Sequence, residues 1–310
     1  METRRIGSLT VSVVGLGCNN FGGRLDEAGT RRVVDAALDA GIDFLDTADI
    51  YGDTKSEEFL GRVLTGRRER VVLATKFGME VAGDASRKGA KPDYVKRALE
   101  DSLRRLRTDR VDLYQLHRPD PETPIADTLG ALDDCVKSGK VREIGCSYFT
   151  AEQLREAAAA VGQGAARFVS VQNEYSLLHR EPERAVLAEC ARQGLAFIPY
   201  FPLAGGLLSG KYRQGQPPPE NTRLSSGRLA ERFLTDRNRE IAEGLAGFAA
   251  ARGRSLLELA FAWLLSHPAV ASVIAGATSP EQARANAAAA GWRLGAGEVA
   301  EIDRLAPIEG

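Results

Sequence analysis

The chain is 310 residues long and carries 41 Lys and Arg against 42 Asp and Glu, a formal net charge of -1. That balance excludes the basic footprint of a nucleic-acid binder. No stretch has the apolar core of a signal peptide or the roughly 18 uninterrupted apolar residues of a membrane span. Cys18, Cys135, Cys146 and Cys190 are far apart with no CxxC pair, so they read as reduced thiols rather than a disulfide frame or zinc site. The expectation is a cytoplasmic protein with neither nucleic acid nor membrane as partner; its oligomeric state is unknown from sequence.

Short apolar runs alternate with longer amphipathic ones. In chain order the expected strands are 13–17, 42–47, 71–75, 111–116, 141–146, 168–172, 195–200 and 270–275. They are rich in Val, Ile and Leu without clean polar alternation, as strands of a parallel sheet covered on both faces should be. One intervening helix is expected over 92–106, with Val95, Leu99, Leu103 and Leu106 on one face. Another starts with Thr123 as N-cap and Pro124 at its first position, and carries Ile125, Leu129, Leu132 and Val136 towards Gly139. Eight β-then-α units of roughly 39 residues suffice for the crossovers. They predict an α/β protein, a (β/α)8 TIM barrel in one domain over 1–310, with an extra C-terminal helix and a long loop after strand seven. A doubly wound open sheet is the alternative.

The polar residues favour the barrel. Asp46, Lys76, His117, Ser147, Gln172 and Tyr200 each stand at or just beyond the end of an expected strand, where barrel enzymes gather their chemistry. Gly15 and Gly17 do not complete a Gly-x-Gly-x-x-Gly fingerprint, because Asn20 stands where the third glycine belongs, and they read as a tight strand exit. The segment 202–235 is unusually long for a loop. Its first part, through Lys211, has the amides, hydroxyl and ammonium of a phosphate cradle, and its Pro217-Pro218-Pro219 part reads as a lid or linker.

A carboxylate, a phenol, an amine and an imidazole can together protonate a carbonyl oxygen. A phenol with its ordinary pKa of about 10 is a weak acid at neutral pH, and a nearby ammonium lowers that value, with a carboxylate behind it to hold it charged. Tyr51, Lys76 and Asp46 fit that relay, and His117 can hold the substrate oxygen. With three histidines a multi-histidine metal site is not expected. The hydride must come from a cofactor.

Asp-Thr-Ala-Asp-Ile-Tyr-Gly, Ala-Thr-Lys-Phe-Gly, Asp-Leu-Tyr-Gln-Leu-His, Val-Gln-Asn-Glu-Tyr-Ser and Tyr-Phe-Pro-Leu-Ala-Gly-Gly-Leu-Leu-Ser-Gly-Lys-Tyr follow one another in the chain. In these motifs the sequence resembles the aldo-keto reductases, in their potassium-channel β-subunit-like branch, from the first strand to about Asn286. The resemblance implies NADPH as cofactor, with NADH possible, and a small-molecule aldehyde or ketone as substrate. It implies Tyr51 as general acid, Lys76 as the group that lowers its pKa, Asp46 behind that lysine, and His117 orienting the carbonyl. Ser147 and Gln172 match positions holding the nicotinamide carboxamide, and Tyr200 matches the aromatic stacked on the ring. Phe201, Pro202, Leu203, Ala204 and Lys211 fall in the pyrophosphate segment, and Gly276, Thr278, Gln282 and Asn286 in the adenosine-phosphate segment.

Three departures stand out. Tyr148 replaces an asparagine, Ala275 replaces a proline, and Thr278 with Gln282 occupy positions where many members place a basic residue, leaving Arg284, Arg213 or Arg223 to meet a 2′-phosphate. A substrate pocket of Phe21, Tyr51, Phe77, Tyr148 and residues after His117 is expected, open and broadly tolerant of aldehydes because only seven residues follow Asp303. The alternatives are an NADPH-binding regulatory or redox-sensing subunit with little turnover, and a cofactor-independent lyase on the same barrel.

Overall fold

A computed structural model describes residues 1–213, 215–220 and 222–308. The chain begins with a hairpin that its sequence had not suggested, β1 (Thr3–Ile6) paired antiparallel with β2 (Leu9–Ser12). Gly7 and Ser8 are its two-residue turn, and Ile6, Leu9 and Val11 alternate onto one face. Those three side chains plug the floor of a ring of parallel strands, packing with Phe44, Ala74, Leu113, Val169, Ile198 and Ile274.

The ring comprises β3 (Val14–Gly17), β4 (Phe44–Asp46), β5 (Val72–Phe77), β6 (Val111–Leu116), β7 (Val141–Ser147), β8 (Phe168–Glu174), β9 (Ala196–Tyr200) and β10 (Val273–Gly276). Each strand pairs with the next from β3 to β9, and β10 pairs back onto β3. Closure comes just before β10. The Phe197 amide donates to the Ala269 carbonyl at 2.7 Å, and the Ala271 amide to the Phe197 carbonyl at 3.0 Å. That bridge rules out the open doubly wound sheet and makes the fold a (β/α)8 barrel, with a second, larger apolar layer between strands and helices.

Most expected elements form, and their corrected ends have physical causes. The helix Pro92–Leu106 has the expected bounds. The next helix is Ile125–Lys137 with Pro124, not Thr123, at the cap, because the Thr123 hydroxyl donates instead to Asp120 Oδ2 at 2.8 Å. β4 starts late because Asp43 is tied to the hairpin, its carboxylate accepting from the Ser12 amide at 2.7 Å. β5 runs on to Phe77, which puts Lys76 inside the strand. Gly15 lies within β3 rather than at an exit, where a Cβ would come within 2.8 Å of Ile274 and Phe44.

The expected extra helix is Ala296–Leu305. The long segment after β9 is not structureless: it makes a 3-10 turn at Ala204–Ser209 and a helix at Arg228–Phe233. Leu224 is fully buried beneath it, its amide donating to the Tyr212 hydroxyl at 3.3 Å. Among the described residues no helix is long and apolar enough to cross a membrane.

Candidate active site

Strand alternation decides what faces the barrel axis. Lys76 points inward, with no exposed surface, and an ammonium there costs several kcal/mol unless it is paired. All three of its N–H bonds are satisfied. Nζ donates to Asp46 Oδ2 at 2.5 Å, to the Thr47 carbonyl at 2.8 Å and to the Tyr51 hydroxyl at 3.3 Å. Burial opposes the charge, but Asp46 and Tyr51 outweigh it and hold the ammonium above its ordinary range. Asp46 ends β4, and its Oδ1 accepts from Gln115 Nε2 and Gln172 Nε2, both at 3.0 Å. Gln115 was missed from sequence; its signal is a lone amide inside the apolar run of β6.

Tyr51 rides on the loop after β4. Two hydroxyls brace that loop: Thr47 Oγ1 and Ser56 Oγ lie 2.8 Å apart, and Ser56 donates to the Cys18 carbonyl at 3.1 Å. Gly52 follows with φ +59°, and a Cβ there would come within 2.5 Å of the Phe21 carbonyl oxygen. The expected lowering of the phenol pKa does not prevail. Burial pushes the Tyr51 hydroxyl above its ordinary 10.0, and Lys76 only moderates the rise.

His117 follows β6, its amide donating to the Phe77 carbonyl at 2.8 Å. Its ring meets Tyr51 edge-on, with centroids 5.9 Å apart. Burial, with the Lys76 and Arg118 charges, holds the imidazole well below its ordinary 6.5, so it is neutral at pH 7. Nδ1 is buried without a hydrogen-bond partner among the described residues.

A cavity of about 610 Å³ opens over these groups. Its wall brings together Asp46, Tyr51, His117, Ser147, Tyr148, Gln172, Tyr200, Phe201, Pro202, Leu203, Lys211, Gly276, Thr278, Gln282 and Asn286. Ser147 Oγ donates to the Gln172 carbonyl at 2.6 Å. With its Nε2 given to Asp46, Gln172 keeps Oε1 as an acceptor. Gln282 Oε1 accepts from the Thr278 amide at 2.8 Å and from the Thr278 hydroxyl at 3.1 Å.

Besides Lys76, which lies beneath the wall, three expected residues are off it. Phe77 neighbours inward-facing Lys76 and therefore points outward, stacking on Tyr114 with centroids 4.6 Å apart. Phe21 is fully buried in the outer apolar layer. Ala204 is fully buried as well, with its amide donating to the Phe201 carbonyl at 2.8 Å. In their place the wall carries Asn19, Asn20, Arg24, Ile50, Met79, Arg118, Thr222 and Arg223, all from loops following strands and without a periodic signal. Thr222 and Arg223 come from the segment after β9, so the open pocket expected from the short tail is instead covered on that side.

The wall is electrostatically one-sided. Arg24, Arg118, Lys211 and Arg223 line it, and Asp46, the acid among the lining residues, is already bound to Lys76. Arg223 sits over the Phe201 ring at 5.4 Å, and burial and then Arg24 lower its pKa. Lys211 lies 5.3 Å from the Tyr212 centroid. Of the three arginines considered for a 2′-phosphate, Arg223 alone is among these lining residues, while Arg284 faces Glu281 at 3.9 Å. A cavity with an aromatic wall and cations that have no carboxylate partner among the described residues fits a polyanionic dinucleotide.

Residues 13–307 match the model of the aldo/keto reductase family. The chain is 37% identical over 280 residues to the aldo-keto reductase yakc [NADP(+)] of Schizosaccharomyces pombe, covering 86% of this chain and 80% of that one. It is likewise 37% identical over 290 residues to the uncharacterized oxidoreductase YrpG of Bacillus subtilis, covering 89% and 86%. Among solved structures, the holo form of aldo-keto reductase AKR11C1 from Bacillus halodurans superposes with a TM-score of 0.82 at 34% identity, covering 99% of this chain and 96% of that one.

Proposed function

Because the chain belongs to the aldo/keto reductase family of oxidoreductases, we propose that it reduces aldehydes or ketones to alcohols with NADPH, as one domain over 1–310. The observation that carries this reading is the Lys76 ammonium, committed to Asp46, Thr47 and the Tyr51 hydroxyl at the cavity floor. The NADP(+) in the printed name of the fission-yeast relative supports the cofactor.

In this reading Tyr51 is the general acid. At neutral pH its phenol holds a proton, and that proton passes to the carbonyl oxygen as negative charge develops there. Lys76 stabilises the phenolate left behind, more strongly in a buried site than in water. Asp46 keeps Lys76 charged, and Gln115 and Gln172 keep Asp46 in place. Neutral His117 orients the carbonyl oxygen beside Tyr51. The bound nicotinamide supplies the hydride. Ser147 and Gln172 would take its carboxamide, Tyr200 its ring face, Pro202, Leu203 and Lys211 the pyrophosphate, and Gly276, Thr278, Gln282 and Asn286 the adenosine end. Tyr148 offers no amide where the family resemblance implies an asparagine, so the carboxamide rests on fewer groups. Arg223 is the candidate for the cofactor's phosphate charge.

The decisive measurement is cofactor oxidation with a panel of small aldehydes. Turnover that collapses in Tyr51→Phe is expected. Tight NADPH binding without turnover, and no loss on Tyr51→Phe, would replace this reading with a regulatory cofactor-binding role; absence of any nicotinamide binding would favour a lyase. Dissociation constants for NADPH and NADH, compared in the protein and in Arg223→Met, test the cofactor preference.

A further inference from the structure

One cation on the cavity wall lies away from the residues assigned to the cofactor's phosphates. Arg118 follows β6, the fourth strand of the ring counted from β3, whereas β10, which precedes Thr278 and Gln282, is the eighth. The two lie across the barrel from each other. Arg118 adjoins His117 in the chain, and Ile50, Met79 and Tyr148 share the cavity wall with it.

The guanidinium lies over the Tyr148 ring, 4.3 Å from its centroid. It has no carboxylate partner among the described residues. Asp120, two positions on, is engaged elsewhere, accepting from the Ala90 amide and the Thr123 hydroxyl at 2.8 Å and from the Glu122 amide at 3.0 Å. Those bonds fix the turn that carries Arg118. Set over the ring and without a carboxylate partner among the described residues, the guanidinium has N–H donors to offer, and its fork matches the planar fork of a carboxylate. Tyr148 itself adopts φ +62°, a conformation that bulky L residues rarely take and that concentrates at functional positions. Its ring is 39% exposed and touches Tyr200 at 5.2 Å between centroids.

We propose that Arg118, seated over the Tyr148 ring, docks a carboxylate on the carbonyl substrate, so that the preferred substrates are aldehydes bearing a carboxylate on a compact apolar or aromatic body. This rests on the reductase reading. Ile50, Met79 and the Tyr148 ring take the apolar body, and the carboxylate fixes which end of the substrate meets His117 and Tyr51. A single guanidinium, with its paired N–H fork, suits a planar carboxylate better than a phosphate, which presents three oxygens.

The test compares 4-carboxybenzaldehyde with its neutral methyl ester as substrates under NADPH, in the protein, in Arg118→Met and in Arg118→Lys. The acid should be favoured in kcat/KM by about 10-fold or more, the range of one charge-assisted hydrogen-bonded pair. Arg118→Met should erase that preference, mainly through KM, and Arg118→Lys should restore part of it. Tyr148→Leu, which removes the ring beneath the guanidinium, should reduce it too. Equal kcat/KM for acid and ester in the unmodified protein, or equal losses on both in Arg118→Met, would overturn the proposal. Calorimetric titration with benzoate against benzamide separates it from the reductase reading. If neither aldehyde turns over, the reductase reading fails, yet benzoate binding that depends on Arg118 still supports the carboxylate site. Benzoate binding no tighter than benzamide, or unchanged in Arg118→Met, overturns the site whatever the turnover.

Discussion

Lys76 donates to the Tyr51 hydroxyl at 3.3 Å, yet that phenol stays above its ordinary pKa because burial outweighs the ammonium beside it. On the proposed reductase reading, the pair keeps a proton on Tyr51 until charge appears on the substrate. It also divides the consequences of removing either partner.

Tyr51→Phe should lower kcat by roughly 10²- to 10⁴-fold, the usual contribution of a general acid, while leaving thermal stability near its original value. Lys76→Met should lose comparable activity and also destabilise the fold by about 3–5 kcal/mol, because Asp46 is left as an uncompensated buried charge. Urea unfolding of both variants checks this. Equal midpoints for the two would contradict the buried-pair account.

The pH profile follows from the directions of the His117 and Tyr51 displacements. His117 is depressed below 6.5 and Tyr51 raised above 10.0, so neither ionises between those values. The rate of carbonyl reduction should therefore be flat across that interval with respect to both groups, falling on the alkaline side as the phenol loses its proton. For stability, the depressed His117 contributes fully above pH 6.5, and that contribution is lost as pH falls from 6.5 towards its folded value. Replacing it with Gln should make the acid limb of an unfolding-versus-pH curve shallower.

Asp49 carries a different signature. It is 1% exposed, and neither carboxyl oxygen has a hydrogen-bond partner among the described residues. Burial, reinforced by Glu57, pushes its pKa well above 3.8. A raised folded pKa stabilises fully below 3.8, and the benefit is lost as pH rises towards the folded value, at up to about 1.4 kcal/mol per pH unit. Asp49→Asn removes that titration. The stability of the variant relative to the original should therefore improve from pH 5 to pH 8 in urea melts, and a constant difference would refute a buried, protonated Asp49.

Gly52→Ala tests how the loop aims Tyr51. The left-handed backbone costs an L residue about 1–2 kcal/mol, and the new Cβ would meet backbone atoms of Phe21 and Gly22 within 2.8 Å. The loop must shift, so kcat for carbonyl reduction should fall. A variant with unchanged kcat would show that the Tyr51 position does not depend on this contact.

The legible parts of the site share one property: each lies at a strand end, where an apolar run stops at a polar residue. Asp46, Lys76, His117, Ser147, Gln172 and Tyr200 were found that way, and the cavity wall or the network beneath it includes them all. Phe77 was expected on the wall, but beside an inward Lys76 it must turn out, and Phe21 is taken up by the outer apolar layer. The 3-10 turn and buried Leu224 in the segment after β9 were invisible because they depend on contacts between residues without periodic spacing.

Local patterning was enough to expect a (β/α)8 barrel with polar side chains gathered at its rim, since strand periodicity, helix ends and a few motif residues are properties of neighbours in the chain. Assembly supplied the rest. It placed Gln115 behind Asp46, raised the Tyr51 phenol by burial, neutralised His117, and seated Arg223 over Phe201 and Arg118 over Tyr148. Each of these is a matter of desolvation or of contact between distant segments, quantities that exist only once the ring has closed.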